Sequence, residues 1–271
     1  MSAYTGAEGL RVELDGGVLR LQLDRPDKRN AITDEMQDAM IAAVDAAGRD
    51  EAVRVVLLSG AGEHFCSGFD WVARNLAGSR DHRPRVGSIQ RRLPAQAHRL
   101  VPLLLSTQTP IVCRVQGWCA GIGLNLALAA DFTVAADDAR FWMPFADRGF
   151  TPDSGATWLL PRRIGEVRAR EMLLLARVVE ARDASDWGMV HRIVPAAELD
   201  ATVDELVTQL ASSATVAVGL TKWLMNQGRE ASLLDHLQNE AFGLELSSRS
   251  EDFREGLAAF REKRDPDFTG R

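Results

Sequence analysis

The chain has few of the residues from which disulfide scaffolds and metal centres are built. Its 271 residues include 3 cysteines and 5 histidines. Cys66, Cys113 and Cys119 form no CxxC pair and lie in apolar surroundings, so the sequence predicts buried, reduced thiols. The histidines are scattered along the chain without the spacing of metal ligands, which predicts no metal site.

Long apolar segments and an excess of basic charge are also lacking. The first eleven residues have neither a basic start nor an apolar core, unlike a signal peptide. The longest uncharged stretches, Val115–Ala130 and Leu206–Thr221, contain polar residues and are shorter than a membrane span. We therefore expect a cytoplasmic protein without membrane contact. The net charge of −6 disfavours nucleic acid as a partner, although local cations can still hold a small anion.

Strand and helix patterns alternate through the first two thirds of the chain. Alternating apolar residues on both sides of Asp15-Gly16-Gly17 predict a β-hairpin, and Thr33 is a predicted helix N-cap. A polar segment, Ala77–Val86, predicts a loop. Further strands are predicted at Val53–Leu58, Ile111–Val115 and Phe132–Ala135, and helices from about Ile89 to Leu105 and over Gly121–Ala129.

After Pro161 the periodicity is helical, with almost no strand signal. We predict an α/β core over residues 1–195, followed by a helical region over residues 196–271. The helices are predicted at Val167–Ala176, Asp183–Met189, Leu199–Ser212, Val216–Asn226, Leu233–Ser247 and Asp252–Glu262.

Two turns of small residues each lie between a predicted strand and a helical segment. Phe65–Asp70 follows the strand that ends at Ser59, and Gly117–Gly123 follows Ile111–Val115. The first N–H groups of a helix lack intrahelical acceptors. Two such turns on neighbouring strands can direct two N–H groups at one oxygen, which is the arrangement of an oxyanion hole.

Four segments, in this order, resemble the crotonase, or enoyl-CoA hydratase/isomerase, superfamily. They are Leu23–Ala31, Phe65–Asp70, Gln116–Asp131 and Ser248–Arg264, and the resemblance extends from about residue 10 to 269. It implies a β-β-α spiral core with a helical C-terminal region that serves in trimerisation or as a lid. It also implies a homotrimer or hexamer that acts on acyl-CoA thioesters, with the CoA ester as substrate and no further cofactor.

The resemblance assigns binding roles by position. It puts the oxyanion-hole N–H groups at Phe69 and Ile122, where they would stabilise an enolate. The two C-terminal residues of the CoA-binding set, Phe260 and Lys263, are expected to act from a neighbouring subunit if not from their own. The set of substrate- and CoA-binding residues is Arg25, Lys28, Arg29, Ala31, Ser67, Gly68, Asp70, Trp71, Phe260 and Lys263.

The acid and base positions depart from the hydratase pattern. The family's hydratases have two glutamates, and Asn125 and Phe145 occupy the matching positions. Neither side chain can transfer a proton, which disfavours hydration by that mechanism. The segment Gly149–Trp158 instead resembles members that use an aspartate, here Asp153. Those members are dienoyl-CoA isomerases, phenylacetate-pathway ring isomerases and aryl-CoA dehalogenases.

Asp153 is accordingly predicted to shuttle a proton from C2 or C4 of an enoyl thioester to another carbon, or to serve rearrangement of a ring-epoxide acyl-CoA. Phe150 and Trp158 would raise the pKa of its carboxyl group if they face it. The structural alternative is helix capping, because Asp-Ser is common before a helix.

Three other functions remain open at this stage. A hydratase would pair Asp153 with Asp147 or Asp70. A dehalogenase would use Asp153 as nucleophile with His98 near the activating histidine's position, although Phe145 stands where a Trp is expected. A non-catalytic acyl-CoA-binding protein would also lack the two glutamates.

Overall fold

The computed structural model describes residues 4–71 and 85–271. Its strands are β1 (Leu10–Asp15), β2 (Val18–Leu23), β3 (Val55–Gly60), β4 (Ile111–Val115), β5 (Trp118–Ala120), β6 (Phe132–Ala136), β7 (Arg140–Trp142), β8 (Val179–Glu180) and β9 (Arg192–Val194). A large sheet has the strand order β1-β2-β3-β4-β6-β9, in which β1 and β2 are antiparallel and the other pairs parallel. A smaller sheet has the order β5-β7-β8.

Helices cover both faces of the large sheet. In the described part of the chain they are α1 (Asp34–Ala47), α2 (Ser88–Arg92), α3 (Ala97–Ser106), α4 (Ile122–Ala129), α5 (Ala156–Leu174), α6 (Ala181–Asp186), α7 (Leu199–Ala211), α8 (Thr215–Gln227), α9 (Leu233–Ser247) and α10 (Glu251–Glu262). None of these helices is long and apolar enough to cross a bilayer.

The central strand β3 shows how the two faces are filled. Successive side chains of a strand point to opposite faces. Val56 and Leu58 accordingly pack with α1, α3 and α4 in the larger apolar cluster. Val55 and Leu57 pack with α7 in a second cluster on the other face. Helix α7, which follows the predicted boundary at residue 195, thus packs against the sheet. The division of the chain at that residue stays a prediction.

Most of the elements predicted from local pattern are present. The hairpin spans β1 and β2, and the Thr33 hydroxyl accepts a hydrogen bond from the Met36 N–H at the start of α1. The single helix predicted from Ile89 to Leu105 is wrong in one respect. It is divided into α2 and α3 by a 3-10 turn at Leu93–Ala95 and by the non-helical backbone of Gln96, where φ is −118° and ψ is −109°. Most of the predicted loop Ala77–Val86 lies outside the described residues.

After Pro161 the described chain has two short strands, β8 and β9, which complete the two sheets and lie between the predicted helices. Both are too short to show a period-2 pattern, and their pairing partners are distant in sequence. Pro161 also lies inside α5, which begins at Ala156 and kinks at Gly165, where φ is +76°.

Candidate active site

The two predicted turns lie side by side. The Cys66 N–H donates to the Trp118 carbonyl over 2.9 Å, and the Ala120 N–H donates to the Cys66 carbonyl over 2.8 Å. These bonds form a parallel bridge between Cys66 and Cys119. Gly121 and Gly68 have φ angles of +55° and +111°, a backbone conformation that L side chains rarely adopt. Glycine therefore allows both turns to adopt these conformations at the base of one cleft.

Phe69 and Ile122, the predicted oxyanion-hole residues, each follow one of these glycines and line the same cleft. A bridge to Ile32 fixes the first turn, because the Ile32 N–H donates to the Gly68 carbonyl and the Asp70 N–H donates to the Ile32 carbonyl, each over 2.9 Å. Ile122 is the first residue of α4, so its N–H has no acceptor within the helix. The geometry is compatible with an oxyanion hole, whose function stays a prediction.

The Cys66 sulfur connects the two turns from below. It accepts a hydrogen bond from the Gly68 N–H over 3.4 Å and another from the Gly123 N–H. A Cβ on Gly123 would lie 2.6 Å from the Cys66 Cβ, so a larger residue would not fit there. Burial raises the pKa of the Cys66 thiol to about 12. All three cysteines are buried free thiols, as predicted.

Asp153 lies in the segment between β7 and α5, and it lines the cleft. Burial raises the pKa of its carboxyl group, against the opposing effects of the Ser154 hydroxyl and the charge of His98. The Ser154 Oγ donates to Asp153 Oδ1 over 2.9 Å. The N-cap residue of α5 is Gly155, and no side chain caps this helix. Asp153 therefore does not cap α5, and the structural alternative is wrong.

Asn125, at the position of one hydratase glutamate, holds the backbone of the aspartate segment. It is fully buried on α4, and its Nδ2 donates to the Asp153 carbonyl over 3.2 Å. The same carbonyl accepts from the Ala156 N–H over 3.1 Å. Asn125 thus positions the segment that carries Asp153, and it is not among the cleft-lining residues.

Aromatic rings form one wall of the cleft. Phe69 and Trp71 have ring centroids 5.2 Å apart, Trp71 and Phe150 6.0 Å, and Phe150 and Phe145 5.3 Å. All three contacts are edge-on, a favourable arrangement for aromatic pairs. Phe145, at the other glutamate position, therefore contributes apolar surface to the cleft.

The predicted CoA-binding residues near the N-terminus form a connected loop structure. The Arg25 guanidinium donates to the Ala31 carbonyl over 2.7 Å and to the Asp70 carboxylate over 3.0 Å. Ser67, which lines the cleft with Gly68 and Trp71, joins this loop through the Lys28 and Arg29 carbonyls. The side chains of Lys28 and Arg29 are exposed, so they are available to a solvent-borne ligand.

Several predicted residues lie outside the cleft. The prediction that Trp158 would flank Asp153 is not met, since its indole lies under the Arg162 guanidinium, 4.1 Å from the ring centroid. Phe150 does line the cleft. His98 is exposed on α3. Phe260 and Lys263 are exposed at the end of α10 and do not line the cleft of their own chain.

Sequence reasoning missed other cleft residues, among them Gln37, Gln96 and Arg148. Gln37 had a usable signal, because it is a polar residue beside the apolar positions of α1. Arg148 had none, since its segment carries no periodic pattern, and Gln96 had none because a polar residue is ordinary within a predicted helix.

The family model described as enoyl-CoA hydratase/isomerase matches residues 13–271. The protein belongs to the enoyl-CoA hydratase/isomerase family. This confirms the predicted resemblance, and the structural neighbours of this family confirm the crotonase-like fold. The protein is accordingly an acyl-CoA enzyme of the crotonase type.

Relatives within the family carry different activities. A 1,2-epoxyphenylacetyl-CoA isomerase of Escherichia coli is 38% identical, over 95% of this chain and 97% of the relative. A carnitinyl-CoA dehydratase of Proteus mirabilis is 34% identical, over 98% of this chain and 100% of the relative. The crystal structure of an enoyl-CoA hydratase from Bacillus anthracis has a TM-score of 0.88 at 28% identity, with 97% of this chain and 100% of that chain covered.

Proposed function

We propose that this protein is an acyl-CoA isomerase in which Asp153 shuttles the proton and the N–H groups of Phe69 and Ile122 bind the thioester oxygen. The observation that carries the proposal is the position of one carboxylate. Among the described residues that line the cleft, Asp153 is the only acidic one, and both glycine turns line the same cleft. A single carboxylate is suited to chemistry in which one group removes and returns a proton.

The proposed reaction has two steps. The Asp153 carboxylate takes a proton from C2 or C4 of the acyl group, and the electrons of the broken C–H bond move into a dienolate. The two N–H groups stabilise the negative charge on the thioester oxygen. The protonated carboxyl group then returns the proton to another carbon, so no atom is gained or lost and no water enters. The same base and oxyanion hole would serve rearrangement of a ring-epoxide acyl-CoA.

The raised pKa of Asp153 supports this role. A base is most effective when its pKa lies near the working pH, and burial moves the pKa of this carboxyl group in that direction. The 38% identity to a 1,2-epoxyphenylacetyl-CoA isomerase also supports isomerisation. The proposed chemistry needs no cofactor other than the CoA portion of the substrate.

Hydration is the second candidate, because a carnitinyl-CoA dehydratase is among the relatives. It requires a second acid or base to position water. The two carboxylates considered for that role are poorly placed, since Asp147 is exposed and Asp70 is ion-paired with Arg25. A dehalogenase mechanism is less well supported still, because His98 is exposed on α3 and does not line the cleft.

The test incubates the protein separately with a 3-enoyl-CoA and a 2-enoyl-CoA in D₂O. We expect migration of the double bond and exchange of the transferable proton for deuterium, both lost in Asp153→Asn. Addition of water without bond migration would establish a hydratase. If the wild-type protein binds the ester but exchanges its protons no faster than Asp153→Asn, the protein is an acyl-CoA-binding protein without catalysis.

We also propose that the protein assembles as a homotrimer or hexamer through its C-terminal helices. Apolar side chains exposed in a monomer commonly mark subunit contacts. In such an assembly Phe260 and Lys263 would reach the CoA of a neighbouring subunit, and Lys28 and Arg29 that of their own. Light scattering after size-exclusion chromatography tests the subunit number. The exposed residues concerned are Leu233, Leu234, Phe242, Leu244, Leu246, Leu257 and Phe260.

A further inference from the structure

A second polar side chain in the cleft has no role in the proposed proton transfer. Gln37 on α1 is 2% exposed and lines the cleft together with Asp153. Its Oε1 atom is buried and accepts no hydrogen bond from any described residue. Buried polar atoms almost always have a partner, so an orphaned acceptor in the wall of a binding cleft calls for an explanation.

The local sequence fixes Gln37 in this position. Thr33 caps α1, and the buried face of the helix consists otherwise of apolar residues such as Met36, Met40 and Val44. A leucine or methionine at position 37 would continue that face. A carboxamide there instead carries a desolvation cost that the described part of the protein does not offset.

The other carboxamide in the cleft behaves differently. Gln96 donates from its Nε2 to the Asp34 carboxylate over 2.8 Å, so an internal contact fixes its orientation. The Oε1 atom of Gln37 has no such internal contact, which leaves a ligand in the cleft as the partner that could satisfy it.

We propose that Gln37 determines specificity by hydrogen-bonding an oxygen substituent on a ring-containing acyl group. The proposal deepens the proposed function by naming the substrate class. We infer a ring in the acyl group from the aromatic wall of the cleft, because its side chains offer edges and faces to a flat apolar group. The wall consists of Phe69, Trp71, Phe145 and Phe150. We infer the oxygen substituent on that ring from Gln37, because its Oε1 atom can accept a hydrogen bond from a hydroxyl group. A turn of the same carboxamide presents its N–H to an ether or epoxide oxygen.

The test measures binding, which does not depend on turnover. Isothermal titration gives the Kd of phenylacetyl-CoA and of its 2-, 3- and 4-hydroxyphenyl analogues for the wild-type protein and for Gln37→Met. Methionine is close to glutamine in size and shape but cannot make the hydrogen bond. We expect the wild type to bind one hydroxylated ester about tenfold more tightly than phenylacetyl-CoA. Gln37→Met should bind both esters equally, with the affinity for phenylacetyl-CoA unchanged.

The same substitution at an exposed glutamine, Gln209→Met on α7, is the matched control and should keep the wild-type preference. Without ligand, Gln37→Met should have a Tm no lower than the wild type, because it removes an unpartnered polar atom. A lower Tm would mean that Gln37 has an internal partner and would overturn the proposal. Equal affinity of the wild type for all four esters would overturn it too, as would a preference retained in Gln37→Met.

These outcomes are separable from failure of the proposed function. If Asp153→Asn still exchanges the substrate's protons, the proton-shuttle role fails while the hydroxyl preference at Gln37 can stand. If the isomerase reaction is found but no ester is preferred, the specificity role alone fails.

Discussion

The large sheet and the C-terminal helices α9 and α10 differ in how far their apolar side chains are exposed. On β3, every residue is buried, and Leu58 is 1% exposed. On α9, Leu233, Leu244 and Phe242 are each more than two-thirds exposed. The chain itself therefore buries the sheet and the turns it carries, whereas it leaves apolar side chains of α9 and α10 exposed, as the proposed assembly requires.

Polar contacts join the core to α8 and to the C-terminal segment. Lys222 on α8 is buried and donates to the Leu104 and Thr109 carbonyls, with its Nζ 2.7 Å from the Asp131 carboxylate. Arg54, just before β3, donates to the Ser213 and Phe268 carbonyls. Polar contacts of this kind require a defined geometry, so they fix the helices on the core in one arrangement.

The largest expected effect is a loss of activity on substitution of Asp153, without a loss of stability. We expect Asp153→Asn to lower kcat by about a thousandfold, because a positioned proton-transfer group contributes on this scale. The folded protein should not lose stability. Its carboxyl pKa is raised in the folded state, so its stabilising contribution is present at low pH and is lost as pH rises through that pKa. Asparagine removes the buried charge, and urea unfolding at pH 7 should show equal or greater stability.

The rate should also depend on pH in a defined direction. The active form of the base is the carboxylate, so kcat/KM should rise with pH until it passes the raised pKa of Asp153 and then level off. Below that pKa the rate should fall about tenfold per pH unit. A profile measured with Ser154→Ala is informative, because the Ser154 hydroxyl stabilises the carboxylate and its loss should move the midpoint upward. A midpoint that does not respond would assign the titration to another group.

A pair of leucine truncations tests the comparison directly. Leu58→Ala in β3 should cost about 3 kcal/mol of unfolding free energy, because it removes a fully packed side chain. Leu244→Ala on α9 should change the stability of the isolated chain by less than about 0.5 kcal/mol. It should instead weaken self-association, measured by light scattering across a dilution series. Equal losses of unfolding free energy for the two variants would contradict the difference between the two regions.

A smaller effect is expected where the two regions meet. Lys222→Met should cost about 2 kcal/mol, because it leaves two carbonyls and the Asp131 carboxylate without their cation. Asp131 keeps one other bond, since it accepts from the Ile111 N–H over 2.8 Å. Combining Lys222→Met with Asp131→Asn should recover part of the loss, and chemical denaturation of the two single variants and the double variant measures the coupling. Strictly additive losses would show that the two charges do not interact.

Local signals could be read from the sequence, and long-range ones could not. The β1–β2 hairpin and the Thr33 cap each depend on a few consecutive residues, and both are present. The strands β8 and β9 depend on partners far along the chain, and no local pattern indicates them.

The same limit applies to the candidate site. The aspartate motif identified Asp153, whose position in the cleft agrees with the prediction, although its catalytic role remains to be tested. The side-chain direction of Trp158 required knowledge of where α5 begins. The bond from Asn125 to the Asp153 backbone joins residues 28 positions apart, and no local pattern reports such a contact.

The sulfur of Cys66 has a practical consequence. Alkylation requires a thiolate that reagent can reach, and this thiol is both buried and held in its protonated form. Modification at Cys66, mapped by mass spectrometry, would therefore report transient separation of the turn at Gly68 from the start of α4 at Gly123. Comparing the labelling rate with and without a bound thioester would measure how much the ligand suppresses that separation at the base of the cleft.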